Sequence, residues 1–253
     1  MILAAGFGTR LRPLTDQLPK ALVPVAGASL LELWLARMRP ARPAALLVNG
    51  HYRVAQLAAV LDSAAYGFRE VRLLREEPIL NTGGGIRQAM AFARGAFLAT
   101  VNVDVVTDIS PALALARHLR ENNLVTMILH DHPRYNQVEV DDRGRITAFG
   151  RERPRPGRRL LAYTGIQVCS PRLLRLFERC PEPAFPLVPF YQHLLAAGRN
   201  DLKACIVDTQ KEYYWRDAGT PDDLKALEND LAGRPGLARR LGLPAAAAAG
   251  GAL

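Results

Sequence analysis

The first two dozen residues constrain this chain more than any other stretch. Met1 to Ala5 are apolar without alternation, the pattern of a strand covered on both faces, and Gly6 and Gly8 follow at once. Glycine tolerates positive φ and leaves no Cβ between main chain and ligand, so successive N–H groups can point at one anion. Arg10, Arg12 and Lys20 add fixed positive charge beside that concavity. A triphosphate is the guest such a loop suits. Two other glycine motifs do not fit: Leu11 stands where a Rossmann fingerprint needs a third small residue, and Thr9-Arg10 follow Gly8 where a Walker loop needs Gly-Lys-Ser/Thr.

Downstream, Ser29-Leu30-Leu31-Glu32 has the form of a capping box and predicts a helix through about Met38. Ala44 to Asn49 reads as a second buried strand and Val54 to Ala65 as a helix. Val71 to Leu74 is a third strand, Ile86 to Ala93 a helix, and Phe97 to Val103 a strand ending on Asp104. This β-loop-α order predicts an α/β fold of three αβα layers, Rossmann-like, with a mixed but mostly parallel sheet and a ligand crevice past the strands' carboxyl ends. After a helix from Ser110 to about Glu121 the pattern turns to strands: Val125 to Leu129, a hairpin of Gln137 to Val140 and Arg145 to Phe149 about Asp141-Asp142-Arg143-Gly144, and Tyr163 to Cys169. Helices at Pro171 to Glu178 and Leu187 to Ala197 follow, and Thr220 caps a terminal helix, Pro221 to Leu231. The expected organisation is one domain over 1–231, with a nucleotide part at 1–123 and an acceptor part at 124–231, then a low-complexity tail at 232–253.

At 253 residues, 49% hydrophobic and 23% charged, the chain has an ordinary globular balance. No apolar run approaches a membrane span, and no signal peptide precedes the first strand; a start so near the glycine loop reads either as a shortened first strand or as a misplaced start codon. Three cysteines, Cys169, Cys180 and Cys205, lack metal-ligand spacing and suit a reducing cytoplasm. Net charge is +9, concentrated in Arg151 to Arg159, but aromatics are 7% and not interleaved with that run, so nucleic acid is not expected as a partner. The Arg run is either a solvated loop or a phosphate contact. In His130-Asp131-His132, neighbouring side chains of a strand end point opposite ways, which argues against a metal site.

The run Leu3-Ala4-Ala5-Gly6-Phe7-Gly8-Thr9-Arg10-Leu11-Arg12-Pro13-Leu14-Thr15, with Pro19-Lys20 after it, resembles the signature of the sugar-1-phosphate nucleotidylyltransferases at nearly every specified position. The resemblance extends to about Leu231. It implies an enzyme that joins a nucleoside triphosphate to a sugar 1-phosphate and releases pyrophosphate. The Thr-Gly-Gly-Gly loop and short length look most similar to members acting on N-acetylmuramate 1-phosphate, with mannose or heptose 1-phosphate guanylyltransferases next, which favours UTP ahead of GTP. Arg10 then holds the triphosphate and the departing pyrophosphate, and Lys20 the α-phosphate and the incoming sugar phosphate. Leu3, Ala5, Gly6, Gly8 and Thr9 line the nucleotide, and Thr82, Gly83 and Gly84 read its base. Asn49, like His51, either assists or is a surface polar group. Asp104 and Asp217 are the expected ligands of Mg2+, a hard ion that takes one or two carboxylates plus phosphate oxygens. The usual glycine before the first of these aspartates is Val103 here.

On the acceptor side, Glu152-Arg153-Pro154 resembles the family's Glu-Lys-Pro, which assigns Glu152 to sugar hydroxyls and Arg153 to the sugar phosphate, although Arg is not a drop-in for Lys. Thr164 and Gly165 match the segment lining the sugar pocket. Two other functions share parts of this pattern: a cytidylyltransferase for phosphocholine or a related headgroup, and a catalytically silent regulatory relative, which would lack the cations or aspartates present here. Oligomeric state is not legible.

Overall fold

The computed structural model describes residues 1–63, 67–234 and 236–243. The class is the expected one, an α/β fold with helices on both sides of a mixed central sheet. Two compact units are interleaved along the chain. One, the loop unit, comprises Ile2–Pro78, Asn102–Asp108 and the chain from Tyr214 onward; the other, the hairpin unit, takes Met1, Ile79–Val101 and Ile109–Tyr213.

In the loop unit three strands, Ile2–Leu3, Leu46–Gly50 and Val71–Arg75, run parallel, with Leu3 opposite Asn49 and Val48 opposite Leu73. The first strand is shorter than its apolar run predicts. The amide of Ala4 leaves the ladder and donates instead to Asn49 Oδ1 at 2.7 Å, which turns the chain toward Gly6. The Leu30–Met38 helix follows its capping box, Glu32 N–H donating to Ser29 Oγ at 3.2 Å and Ser29 N–H to Glu32 Oε2 at 2.7 Å. Its Leu30, Leu31, Trp34 and Leu35 are buried. The Val54–Ser63 helix covers most of its expected span; Ala64 and Ala65 lie outside the described residues.

Later in the same unit, Val105–Thr107 pairs antiparallel with Trp215–Asp217, and Thr220 caps the Pro221–Gly233 helix. Within the segment expected as a tail, Leu237–Arg240 form a short helix and Leu237, Leu241 and Leu243 are buried. Arg37 of the Leu30–Met38 helix donates to Arg240 O at 3.0 Å and to Asp108 O. Arg240 pairs in turn with the Asp108 carboxylate. The helix's sequence signal was too short to separate from the alanine-rich residues after it, 244–253, which lie outside the described residues.

The hairpin unit is built on one long strand, Arg159–Cys169, which starts four residues before its predicted onset at Tyr163. It pairs antiparallel with Val125–His130, with the Leu98–Asn102 strand and with Val138–Val140. Val138–Val140 and Ile146–Phe149 form the expected hairpin, with Gly144 at φ 69° in its turn. Leu202–Ile206 adds a parallel neighbour to Val125–His130. Among the described residues no helix is long and apolar enough to cross a membrane.

The arginine-rich stretch is tied to two buried carboxylates. Arg155 donates to Glu139 through both Nε and its own N–H, each at 2.8 Å, Thr147 Oγ adds a third bond at 2.8 Å, and Arg151 lies 3.4 Å away. Arg158 reaches Asp141 at 3.1 Å beside Arg145 at 2.6 Å. Burial alone would raise the Glu139 carboxyl, but the Arg155 and Thr147 bonds outweigh it and hold it down to about 2. A carboxyl lowered from 4.5 stabilises the fold fully above pH 4.5 and loses that contribution as pH falls toward 2. Glu139→Gln is therefore expected to flatten the acid limb of the unfolding profile across that range. Denaturant titrations at stepped pH give the check, and an acid limb identical to the wild type's would sink it.

Candidate active site

Four charged side chains from three distant stretches come together in the loop unit. Gly8 sits at φ 66°, where a Cβ would lie 2.9 Å from Thr15 Cγ2 and 3.0 Å from Lys20 Cβ. Its carbonyl accepts from Thr15 Oγ at 2.8 Å and from Leu11 N–H at 2.9 Å. The glycine thus lets the loop close onto the Lys20 turn, bringing Thr9–Leu11 and Lys20–Leu22, both single 3-10 turns, beside one another. Gly6 differs: a Cβ there would meet nothing within 4 Å, so its open side is left to whatever the loop binds.

Lys20, 13% exposed, pairs with Asp104, while Arg10, 58% exposed, approaches the same carboxylate at 3.9 Å. The half-buried ammonium therefore compensates Asp104, and the guanidinium keeps most of its donors outward. Asp217 reaches the site through its ribbon: it lies opposite Val105, and Ala218 N–H donates to Asp104 O at 2.7 Å. A 3-residue pairing thus joins two carboxylates far apart in sequence. Asp217 Oδ1 is buried and accepts no hydrogen bond among the described residues. Burial first, and then the Asp104 charge, raise the Asp217 carboxyl above its ordinary value, with Arg10 and Lys20 pulling against them. Two adjacent carboxylates, one with an unused buried oxygen, are the donor set a hard divalent cation prefers. No grouping of three or more His, Cys, Asp or Glu ligands occurs among the described residues.

Gly219 is a site residue that motif reading missed. A Cβ on it would fall 2.5 Å from Asp217 Oδ1 and 2.6 Å from an Arg10 guanidinium nitrogen, so any larger residue pushes one of these side-chain ends aside. Its sole signal was the glycine two places after the aspartate. Asp230 was missed too: its Oδ2 accepts from Tyr214 Oη at 2.8 Å and from Arg216 Nε at 2.9 Å, holding the strand that carries Asp217 to the terminal helix.

The remaining expected residues are placed as follows. Leu3 O accepts from Val103 N–H at 3.2 Å, and Ala5 is buried where the strand enters the loop. Asn49, 3% exposed, spends its carbonyl on Ala4 N–H and its amide on Glu76 Oε1 at 2.7 Å, so in this geometry it holds the loop rather than facing a ligand. Thr82, Gly83, Gly84, Glu152, Arg153, Thr164 and Gly165 belong to the hairpin unit. There the Asn81–Phe92 helix begins with Asn81 at φ 56°, and Gly83 N–H donates to Phe185 O at 3.0 Å. A Cβ at Gly83 would meet that carbonyl at 2.7 Å, and one at Gly84 would strike Pro183 O. These glycines therefore admit the 183–185 segment, and the Gly83 amide is committed to it. Thr164 Oγ donates to Ile128 O at 2.8 Å, and Gly165, φ 84°, lies in a bulge of the long strand. Glu152 and Arg153 are exposed.

A glycine loop, two cations and two convergent carboxylates lie together in the loop unit, and the chain belongs to the nucleotidyl transferase family, whose model matches residues 1–233. It is an enzyme of that class. It is 30% identical over 244 residues to the N-acetylmuramate alpha-1-phosphate uridylyltransferase of Caulobacter vibrioides, covering 92% of this chain and 96% of that one. It is also 30% identical over 237 residues to the mannose-1-phosphate guanylyltransferase of Mycobacterium tuberculosis, covering 91% of this chain but 64% of that longer protein. In structure it is similar to HddC from Yersinia pseudotuberculosis, at a TM-score of 0.72 and 21% identity, covering 90% of this chain and 97% of the other; that protein has also been solved with GMP-PN.

Gly219→Ala is expected to lower turnover about 100-fold by separating Arg10 from Asp217, with little loss of stability. Steady-state rates beside a thermal melt provide the measurement; wild-type turnover from the variant would show that the close approach has no catalytic weight.

Proposed function

We propose that this chain transfers a nucleotidyl group from a nucleoside triphosphate, UTP ahead of GTP, to a sugar 1-phosphate. The observation that carries this reading is the convergence of Lys20, Arg10, Asp104 and Asp217 about the Gly6–Gly8 turn. The names of the relatives from Caulobacter vibrioides and Mycobacterium tuberculosis support a sugar phosphate acceptor and a uridine or guanosine donor.

In the proposed reaction an oxygen of the sugar phosphate attacks the α-phosphorus, a new P–O bond forms, and the bond to the β-phosphate breaks to release pyrophosphate. Both reactants are anions, so the protein must cancel repulsion and stabilise charge on the transferring group. Arg10, with most of its guanidinium outward, receives the β- and γ-phosphates and follows the charge onto the leaving pyrophosphate. Lys20 exchanges its Asp104 partner for the α-phosphate and the sugar phosphate. Asp104 and Asp217 would hold a magnesium ion, which supplies charge neutralisation at the phosphate oxygens when bound. Thr82 to Gly84 are assigned to the base, and Glu152, Arg153, Thr164 and Gly165 to the acceptor. The three cysteines are unpaired, in keeping with a cytoplasmic setting.

Pyrophosphate release, measured with magnesium across UTP, GTP, ATP, CTP and dTTP against a panel of sugar 1-phosphates and phosphocholine, tests the reading. Release is expected to require one triphosphate and one sugar phosphate together. Lys20→Ala and Asp217→Asn should each cut it by about 100-fold or more while remaining folded by circular dichroism. Near-normal turnover in either folded variant contradicts the assigned roles, and release driven by phosphocholine alone contradicts the acceptor.

A further inference from the structure

The basic composition of this chain is only partly consumed by the proposed chemistry. Within the hairpin unit two adjoining cavities, of about 870 and 530 Å3, share Arg117, Arg159 and Ile206 in their walls. None of the assigned site residues lines either of them. The smaller is lined by Arg117, Arg143, Arg158 and Arg159 around the Gly144 turn, where a Cβ would already press on the Arg117 guanidinium at 3.2 Å. The larger continues past Lys211 over an apolar floor that includes Leu113 and Leu161.

Five carboxylates line these walls, Asp131, Asp141, Asp142, Asp208 and Glu212, and three of them are engaged as follows. Asp141 is committed to Arg145 at 2.6 Å and Arg158 at 3.1 Å. Asp208 accepts from the N–H groups of Gln210 and Lys211 at 2.9 and 3.1 Å, and Asp131 takes Asn136 Nδ2 at 2.7 Å. Glu121, on the helix beside the cavities, is paired with Arg117 at 2.8 Å. By contrast Arg143, Arg159 and Lys211 are exposed and make no ion pair among the described residues. Lys203, next to this cluster, is lowered by burial and then by Arg145, Arg117 and Arg143, while Glu121 alone pulls it up. Cationic groups thus crowd about Lys203, with Glu121 as their counter-charge.

We infer that these cavities form a second anion site, separate from the Lys20 and Asp104 cluster, that takes a nucleotide-sized organic phosphate. The phosphates would be held by Arg143 and Arg159 and the less polar body laid against Leu113 and Leu161. Paired guanidinium groups suit phosphate oxygens, which they can grip two at a time. The cavity sizes fall in the range of small-molecule sites, and a floor of apolar side chains beside a cationic end excludes a bare metal ion as the guest.

The test is calorimetric titration of the whole protein with UDP, GDP and inorganic pyrophosphate. Two binding events per chain are expected for a nucleoside diphosphate. In Arg143→Glu/Arg159→Glu the second should weaken by about tenfold or more, the loss of at least one charge-assisted hydrogen bond, while turnover at low ligand stays within about twofold of wild type. Arg143→Gln/Arg159→Gln gives the same readout should charge reversal disturb folding. Lys20→Ala removes the other event and leaves this one. A single event in the wild type, or two events untouched by both double variants, overturns the inference. Because the count of sites needs no turnover, failure of the proposed reaction would leave it standing, and tight pyrophosphate binding at the second site without nucleotide preference would overturn the assignment of the apolar floor.

Discussion

The pairing of Val105–Thr107 with Trp215–Asp217 is the constraint on which the site depends. Alone it is a short ribbon with few bonds, and short two-stranded ribbons are marginal in water. It persists because both its strands are anchored elsewhere in the loop unit. Tyr214 N–H donates to Asp108 at 2.8 Å, Thr107 Oγ to Tyr214 O at 2.5 Å, and Asp230 binds Tyr214 and Arg216. The ribbon brings two carboxylates together at a cost in repulsion and desolvation, felt as the raised Asp217 carboxyl. Lys20 offsets part of that cost at Asp104, and Gly219 keeps the space for Arg10 to offset more.

Charge in the hairpin unit follows a different logic. Glu139 and Asp141 are wholly enclosed by the hairpin, and each would be a liability without partners. The arginine-rich segment supplies them by folding back over the hairpin, so its composition answers in part to two acids it covers. What appears in sequence as one basic run thus divides into guanidinium groups bound inside the unit and others left facing outward.

The legible parts of this chain were those fixed by local chemistry. The glycine loop, the Ser29 and Glu32 capping box, the Asp141–Gly144 turn and the Thr220 cap each announce themselves within a few residues, because each satisfies backbone groups nearby. The aspartates were legible through resemblance to a long motif. Properties set by distant partners were not. Nothing near Asn49 foretells that Ala4 and Glu76 will take both ends of its amide, and a run of glycines at 83–85 looks the same whether it serves a ligand or the approach of Phe185. Gly219 and Asp230 were silent for the same reason, since their importance lies in atoms from Arg10 and Arg216.

The interleaving of the two units also divides labour along the gene. Arg10 and Lys20 come from the first long stretch, Asp104 from a seven-residue return spanning Asn102–Asp108, and Asp217 from the closing one. None of the three stretches carries the whole charge set by itself, so removal of any one of them breaks it. The 109–213 stretch, by contrast, enters the order as an insertion between two returns to the loop unit. A change confined to its surface leaves the backbone that carries Arg10, Lys20, Asp104 and Asp217 untouched, so in this chain charge can be rewritten at one address without editing the other.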